Sequence, residues 1–173
     1  MKALAGSFGV SSDGSRAGVV TFSYNAEHSI KLNDHTDMTS FNDAVDGIPL
    51  MGSTTRIDKA LRLAQDQLFT VENGGRPSKP KVLILLTDGS QTKDVDAEDP
   101  SIIANELRSN GIKVLVIGIG GGVDPEELQR LADNPSNVFS AASFEELISS
   151  EFVDSVTKRS CGVGKYVSYL YIY

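Results

Sequence analysis

Apolar positions along this chain switch between two periods. From Lys81 to Thr87, KVLILLT, every position after the lysine is apolar or threonine, which predicts a strand buried on both faces. IKVLVIGIG (112–120) repeats the pattern. RAGVVTFS (16–23) is a shorter strand introduced by the turn Ser12-Asp13-Gly14-Ser15, and 27–32 alternates as an edge strand with Ile30 and Leu32 on one side. NVFSA (137–141) is a last short strand. Helical spacing covers 39–48, with Phe41, Ala44, Val45 and Ile48 on one stripe, and 57–68, with Ile57, Leu61, Ala64 and Leu68 on another. Residues 71–80 form a loop by composition. Residues 100–110 form a helix stopped by Gly111. Asp124 caps a helix opened by Pro125, and Ser143-Phe-Glu-Glu is a capping-box start for a final helix to about Cys161. Strands separated by helices predict an α/β fold, a doubly wound and mostly parallel sheet flanked by helices.

Composition narrows the picture modestly. The chain has 173 residues, enough for one domain with a substantial core. No apolar run approaches the roughly 18 residues of a membrane span, and MKALAGSFGV is too short and weakly apolar for a signal peptide. The net charge is −7, and the only basic cluster is the pair Lys158-Arg159, which argues against nucleic-acid binding. Carboxylates in excess suit solubility and, where several converge, a hard cation. The acidic run 94–99, DVDAED, reads as a solvated loop and helix start. Cys161 is the single cysteine, so an internal disulfide is excluded; it is either a buried small hydrophobe or half of a pair completed elsewhere.

Candidate chemistry gathers at strand ends, because ligands of open parallel sheets lie outside their carboxyl ends. Asp88 sits at such an end, and a tight turn at Gly89 would aim its carboxylate at the crevice; the alternative is a turn cap. The loop MGSTTR (51–56) offers hydroxyls that either cap the next helix or join Asp88 around a divalent cation. GIGGGV (118–123) fits no phosphate-loop spacing and reads as a tight turn. His28 and His35 lack a metal-ligand pattern and read as surface residues.

GSTTRIDKAL (52–61), KVLILLTDGSQT (81–92) and IKVLVIGIGGGVDPEELQRLA (112–132), in that order, resemble a von Willebrand factor type A (VWA) domain. RAGVVTFS (16–23) and SFEEL (143–147) are similar to its second strand and last helix, so the likeness spans residues 1–161. The resemblance is to the extracellular-matrix and adhesion type, such as matrilins and collagen VI. It implies a divalent ion, usually Mg2+, held at the top of the sheet by three loops and completed by a partner's carboxylate. Carried over by motif, the metal ligands are Thr55 and Asp88, with Thr54 as the alternative register. Ser53, Thr54, Arg56, Gly89 and Ser90 form the ligand-binding rim.

The chain also departs from the family. The Asp-x-Ser-x-Ser run that follows the family's first, central strand is absent, which removes three of the five expected ligand positions. MKALAGSFGV reads as the end of the helix after that strand, so the expectation is a domain truncated at its N-terminus that lacks the central strand. Cys161 lies where the family often places a cysteine paired with one before the first strand; its mate would be missing too, and the setting oxidising. Residues 162–173 are expected to lie outside the domain. They contain KYVSYLYIY, with four of the five tyrosines, and Gly164-Lys165-Tyr166 can be encoded through GTAAGT, which makes intron read-through one origin for them. The rival expectation is that this tail fills the vacant strand position.

The functional expectation is a non-enzymatic, secreted protein-binding module whose partners are proteins such as collagens, with a divalent cation as a candidate bridge. The alternatives are an intracellular VWA-type assembly domain, or a Rossmann-like enzyme using Asp88.

Overall fold

The computed structural model describes residues 1–49, 52, 54–132, 134–161 and 168–172, with the backbone alone for Cys161 and 168–172. The strands are β1 (Arg16–Phe22), β2 (Ala26–Ile30), β3 (Lys81–Thr87), β4 (Ile112–Ile119), β5 (Val138–Ala141) and β6 (Ser168–Ile172). The helices are α1 (Lys2–Phe8), α2 (Met38–Asp46), α3 (Ile57–Leu63), α4 (Pro100–Ser109), α5 (Pro125–Leu131) and α6 (Ser150–Cys161). One six-stranded sheet runs in the order β2-β1-β6-β3-β4-β5. Only the β1–β2 hairpin is antiparallel.

Alternation along β3 divides the core. Leu83 and Leu85 face a cluster with Ile57, Leu61, Ile103, Leu107 and Leu128, beneath α3, α4 and α5. Val82, Ile84 and Leu86 face the opposite cluster with Leu4, Phe41, Phe152 and Val156, beneath α1, α2 and α6. A strand covered on both faces needs the continuous apolar run that 81–87 carries.

The central position is filled. β6 pairs in parallel with β1, with Leu170 opposite Gly18, and with β3, with Leu170 opposite Leu83. The residues expected outside the domain therefore include an interior strand, the arrangement named as the rival expectation. The physical reason is that β1 and β3 would otherwise present unpaired N–H and C=O groups in the middle of a buried sheet.

Other elements follow the sequence with local differences. Asp37 accepts from the Ser40 N–H at 2.9 Å, Asp99 from Ser101 N–H at 2.9 Å and Asp124 from Glu126 N–H at 3.0 Å, capping α2, α4 and α5. The helix expected over 57–68 is α-helical to Leu63 and then passes into a π-helical turn, Ala64–Leu68. The final helix starts at Ser150, not at Ser143. The Glu146 carboxylate instead accepts from Ala142 N–H at 2.6 Å, and Ser149 Oγ accepts from Phe152 N–H at 3.3 Å, so the cap falls six residues later.

A buried ion cluster fixes the loops above the sheet. Arg56, with a side chain 1% exposed, makes a two-pronged contact with Asp58, Nε to Oδ1 at 2.9 Å and Nη2 to Oδ2 at 2.7 Å. Its Nη1 donates to Asp96 at 2.9 Å and reaches Asp94 at 3.4 Å. Asp58 also accepts from Gln91 Nε2 at 2.7 Å and from the Glu98 N–H at 3.1 Å. The run 94–99, expected as a solvated loop and helix start, is thus part clamp as well as helix start. Burial alone would raise the Asp58 pKa, but hydrogen bonds from Arg56, Gln91 and the amides of Glu98 and Lys59 outweigh it and lower it from 3.8 to about 2. Hydrogen bonding to Asp58 raises the Arg56 pKa further above its already high ordinary value.

Two expected outcomes test these features. Leu170→Pro removes a backbone donor from an interior strand and should cost about 3 kcal/mol or more, a large part of the ~5–15 kcal/mol typical of a domain. Thermal unfolding reads it, and an unchanged midpoint would mean that 168–172 lie outside the sheet. Because the Asp58 pKa is depressed on folding, its contribution of about 2 kcal/mol is present above pH 4 and drains away between about pH 4 and 2. Asp58→Asn should flatten that part of the stability–pH curve while destabilising the domain at neutral pH, since it leaves Arg56 partly unpaired.

Candidate functional site

The crevice lies at the carboxyl ends of β1 and β3. Ile172 of β6 pairs with Val20 on one side and Leu85 on the other. β1 runs on through Thr21 and Phe22, and β3 through Leu86 and Thr87 to Asp88. These residues form two walls of a cavity of about 320 Å³. Gly52, Thr54 and Thr55 close it from the loop before α3, and Ile119 and Phe144 from the ends of β4 and the loop after β5.

Asp88 stands exposed at the mouth, as the sequence predicts. Thr87 Oγ1 donates to the Gly89 carbonyl at 2.7 Å and accepts from Gly89 N–H at 3.3 Å, which turns the chain sharply after the strand. Gly89 approaches the neighbouring loop closely, since a Cβ there would lie 3.1 Å from Thr55 Oγ1. A second constraint lies in the glycine run after β4. A Cβ on Gly122 would meet the Asp88 carbonyl oxygen at 2.4 Å, so the β4–α5 loop packs directly against the Asp88 backbone. Ser90, expected on the rim, faces this same loop, its hydroxyl 3.5 Å from the Gly122 carbonyl.

Thr55 and Asp88 are brought to one cavity, and two bonds lock their loops together. Thr55 N–H donates to Thr92 Oγ1 at 2.9 Å, and Thr92 N–H donates to the Thr55 carbonyl at 2.9 Å. Thr54 also lines the crevice, and its buried Oγ1 has no hydrogen-bond partner among the described residues. Arg56 departs from expectation: it does not reach the rim, because Asp58, Asp94 and Asp96 hold it in the interior. Its role is to set the loop that carries Thr54 and Thr55. Ser53 lies outside the described residues, as does the Cys161 side chain with its expected disulfide; the Cys161 backbone ends α6. His28 and His35 are partly exposed at the surface, the former against Gln67 Oε1 at 3.0 Å and the latter edge-on to Phe41.

The donor set does not fit a tightly held divalent ion. Magnesium requires near-octahedral oxygen ligands. The cavity offers one carboxylate, from Asp88, and the hydroxyls of Thr21, Thr54, Thr55 and Thr87. Of these, Thr21 is engaged with Ser29 and Thr87 with Gly89. Among the described residues no three His, Cys, Asp or Glu side chains converge.

Comparison with known proteins matches this architecture. The family profile for the von Willebrand factor type A domain matches residues 1–153. VWA domain-containing protein 2 of Xenopus laevis is 33% identical over 154 residues, covering 89% of this chain and 18% of that protein. The collagen alpha-6(VI) chain of Mus musculus is 31% identical over 147 residues, covering 85% of this chain and 6% of its own length. The chain thus spans less than a fifth of either relative. Among solved structures, proximal thread matrix protein 1 from the mussel byssus, with a zinc-occupied MIDAS motif, aligns with a TM-score of 0.82 at 30% identity, covering 93% of this chain and 39% of that one. Manganese-loaded Plasmodium vivax TRAP shares the fold, with a TM-score of 0.68 at 21% identity over 88% of this chain and 63% of its own. Matched by its sheet, its loops and its sequence alike, the chain belongs to the von Willebrand factor type A family.

Proposed function

We propose that this domain is a secreted, non-enzymatic protein-binding module of the adhesion and extracellular-matrix type, which engages matrix proteins such as collagens at the crevice above β6. The observation that carries this reading is the crevice itself: an open cavity at the carboxyl ends of β1 and β3, with loops locked around it and Asp88 exposed at its mouth. Relatives that include a collagen VI chain, cuticlin-6 of Caenorhabditis elegans and a byssal thread matrix protein support the matrix setting. Among the described residues the lining has one carboxylate and no histidine, and so no paired acid and base, which weighs against the enzyme alternative.

Bridging by Mg2+ between Thr55, Asp88 and an acidic partner is the family's expectation. Here one carboxylate and a few hydroxyls would leave such an ion mostly water-bound. Direct contact between partner and crevice is therefore the favoured mode. Surface plasmon resonance against immobilised fibrillar collagen and other matrix proteins, in Mg2+ and in excess EDTA, tests both parts. The expected result is saturable binding that survives EDTA. Loss in EDTA would restore the ion-bridged mode, and no saturable binding by the folded domain would remove the matrix-binding reading.

A further inference from the structure

We propose that the crevice receives a basic side chain, lysine or arginine, from its protein partner, seated directly on Asp88 with no bridging metal. This rests on the protein-binding reading and names the chemistry of the partner. It inverts the charge logic that the resemblance implies, in which an ion bridges to an acidic residue.

Charge is the first argument. Among the described residues, Asp88 is the only charged one that lines the cavity, and it makes no ion pair there. The cation closest in sequence to the site loops, Arg56, is committed to Asp58, Asp94 and Asp96. Without a bound ion, an acidic partner group would meet like charge at the mouth, whereas an ammonium or guanidinium meets its complement.

Shape and lining are the second argument. A volume of about 320 Å³ lies at the lower end of ligand-burying pockets, roughly 300 Å³ and upward, and suits one long side chain better than a peptide segment. The walls beside Asp88 combine the apolar side chains of Phe22, Leu86, Ile119, Pro49 and Phe144 with the threonines Thr21, Thr54, Thr55 and Thr87. Lysine and arginine combine an aliphatic stem that packs on such walls with a head that seeks a carboxylate. Phe144 lines the cavity yet is 48% exposed, so the core does not use it fully, and an aromatic ring at that place can also face the cation.

The third argument is the unpartnered Thr54 hydroxyl. Its oxygen is buried in the lining and lacks a hydrogen-bond partner among the described residues. A buried hydroxyl left unpaired is costly, and a multi-donor head such as an ammonium supplies the missing N–H while it contacts Asp88.

The test is a nuclear magnetic resonance titration of the labelled 173-residue chain in excess EDTA. The probes are blocked pentapeptides Ac-Gly-Gly-X-Gly-Gly-NH2, with X lysine, arginine, norleucine or aspartate. Lysine and arginine peptides should give saturable shifts at the Thr55 and Gly89 amides; norleucine and aspartate peptides should not. Asp88→Asn should weaken the lysine peptide at least tenfold, and Phe144→Ala should weaken it several-fold; both residues are solvent-accessible, and an unchanged spectrum elsewhere verifies folding. Norleucine binding as strong as lysine, aspartate binding that appears only with Mg2+, or no shift with any peptide would each overturn the proposal. If the domain binds matrix proteins but Asp88→Asn leaves that binding and the peptide shifts unchanged, the basic-side-chain proposal fails alone. If lysine peptides bind while no matrix protein does, the matrix reading fails and the crevice chemistry stands.

Discussion

An interior strand of a parallel sheet must be paired on both edges, and the rest of this structure depends on that constraint. β1 and β3 are buried apolar strands with no water to satisfy their backbone groups. Placing β6 between them satisfies both ladders at once. The crevice lies at the carboxyl ends of these two strands, lined by Thr21 and Phe22 of β1, by Leu86 and Thr87 of β3 and by Asp88.

The Arg56 cluster is the second constraint, and it works on the loops rather than the sheet. Burying a guanidinium is expensive unless its donors are matched, and here three carboxylates match it, Asp58 from the first turn of α3 and Asp94 and Asp96 from the loop after β3. The chain from Arg56 through Asp58 to Gln91 reaches the Asp88 loop, and Gln91 N–H continues it to Glu127 at the start of α5. Three loops that border the crevice are thereby tied to one charge network. A site held this way keeps its shape without a metal ion to organise it.

How far the sequence revealed this differs by the range of the interaction. β3 and β4 were legible because burial on both faces imposes a local apolar run, and the cap of α5 because Asp124-Pro125 acts within one turn. Asp88 and Thr55 line one cavity, a juxtaposition that strand ends and loops read in order suggest. Arg56 was misplaced because its partners lie up to 40 residues away, and an arginine in a polar loop looks solvent-facing without them. The role of Gly122 was hidden for the same reason: its need for a bare Cα is set by the Asp88 carbonyl, not by its own φ. β6 was the hardest case. Tyrosine-rich alternation at 166–173 signalled a strand, but its position between β1 and β3 is a demand of those strands, expressed nowhere in its own residues.

The same reasoning bears on what a VWA crevice can recognise. A divalent ion at such a site converts a negatively charged loop into an electrophilic one, which is how a carboxylate-lined cavity attracts an acidic ligand. That conversion requires enough fixed oxygen ligands to strip the ion of part of its water. With a single carboxylate among the described lining residues, the crevice keeps its own sign, and the complement we propose is a cation with an apolar stem. The geometry that places Asp88 is unchanged by this, since it comes from the Thr87–Gly89 turn, the bare Gly122 and the Arg56 network. Loop scaffold and ligand charge are thus separable properties of the fold: the first is set by packing against the sheet, the second by how many oxygens the loops present.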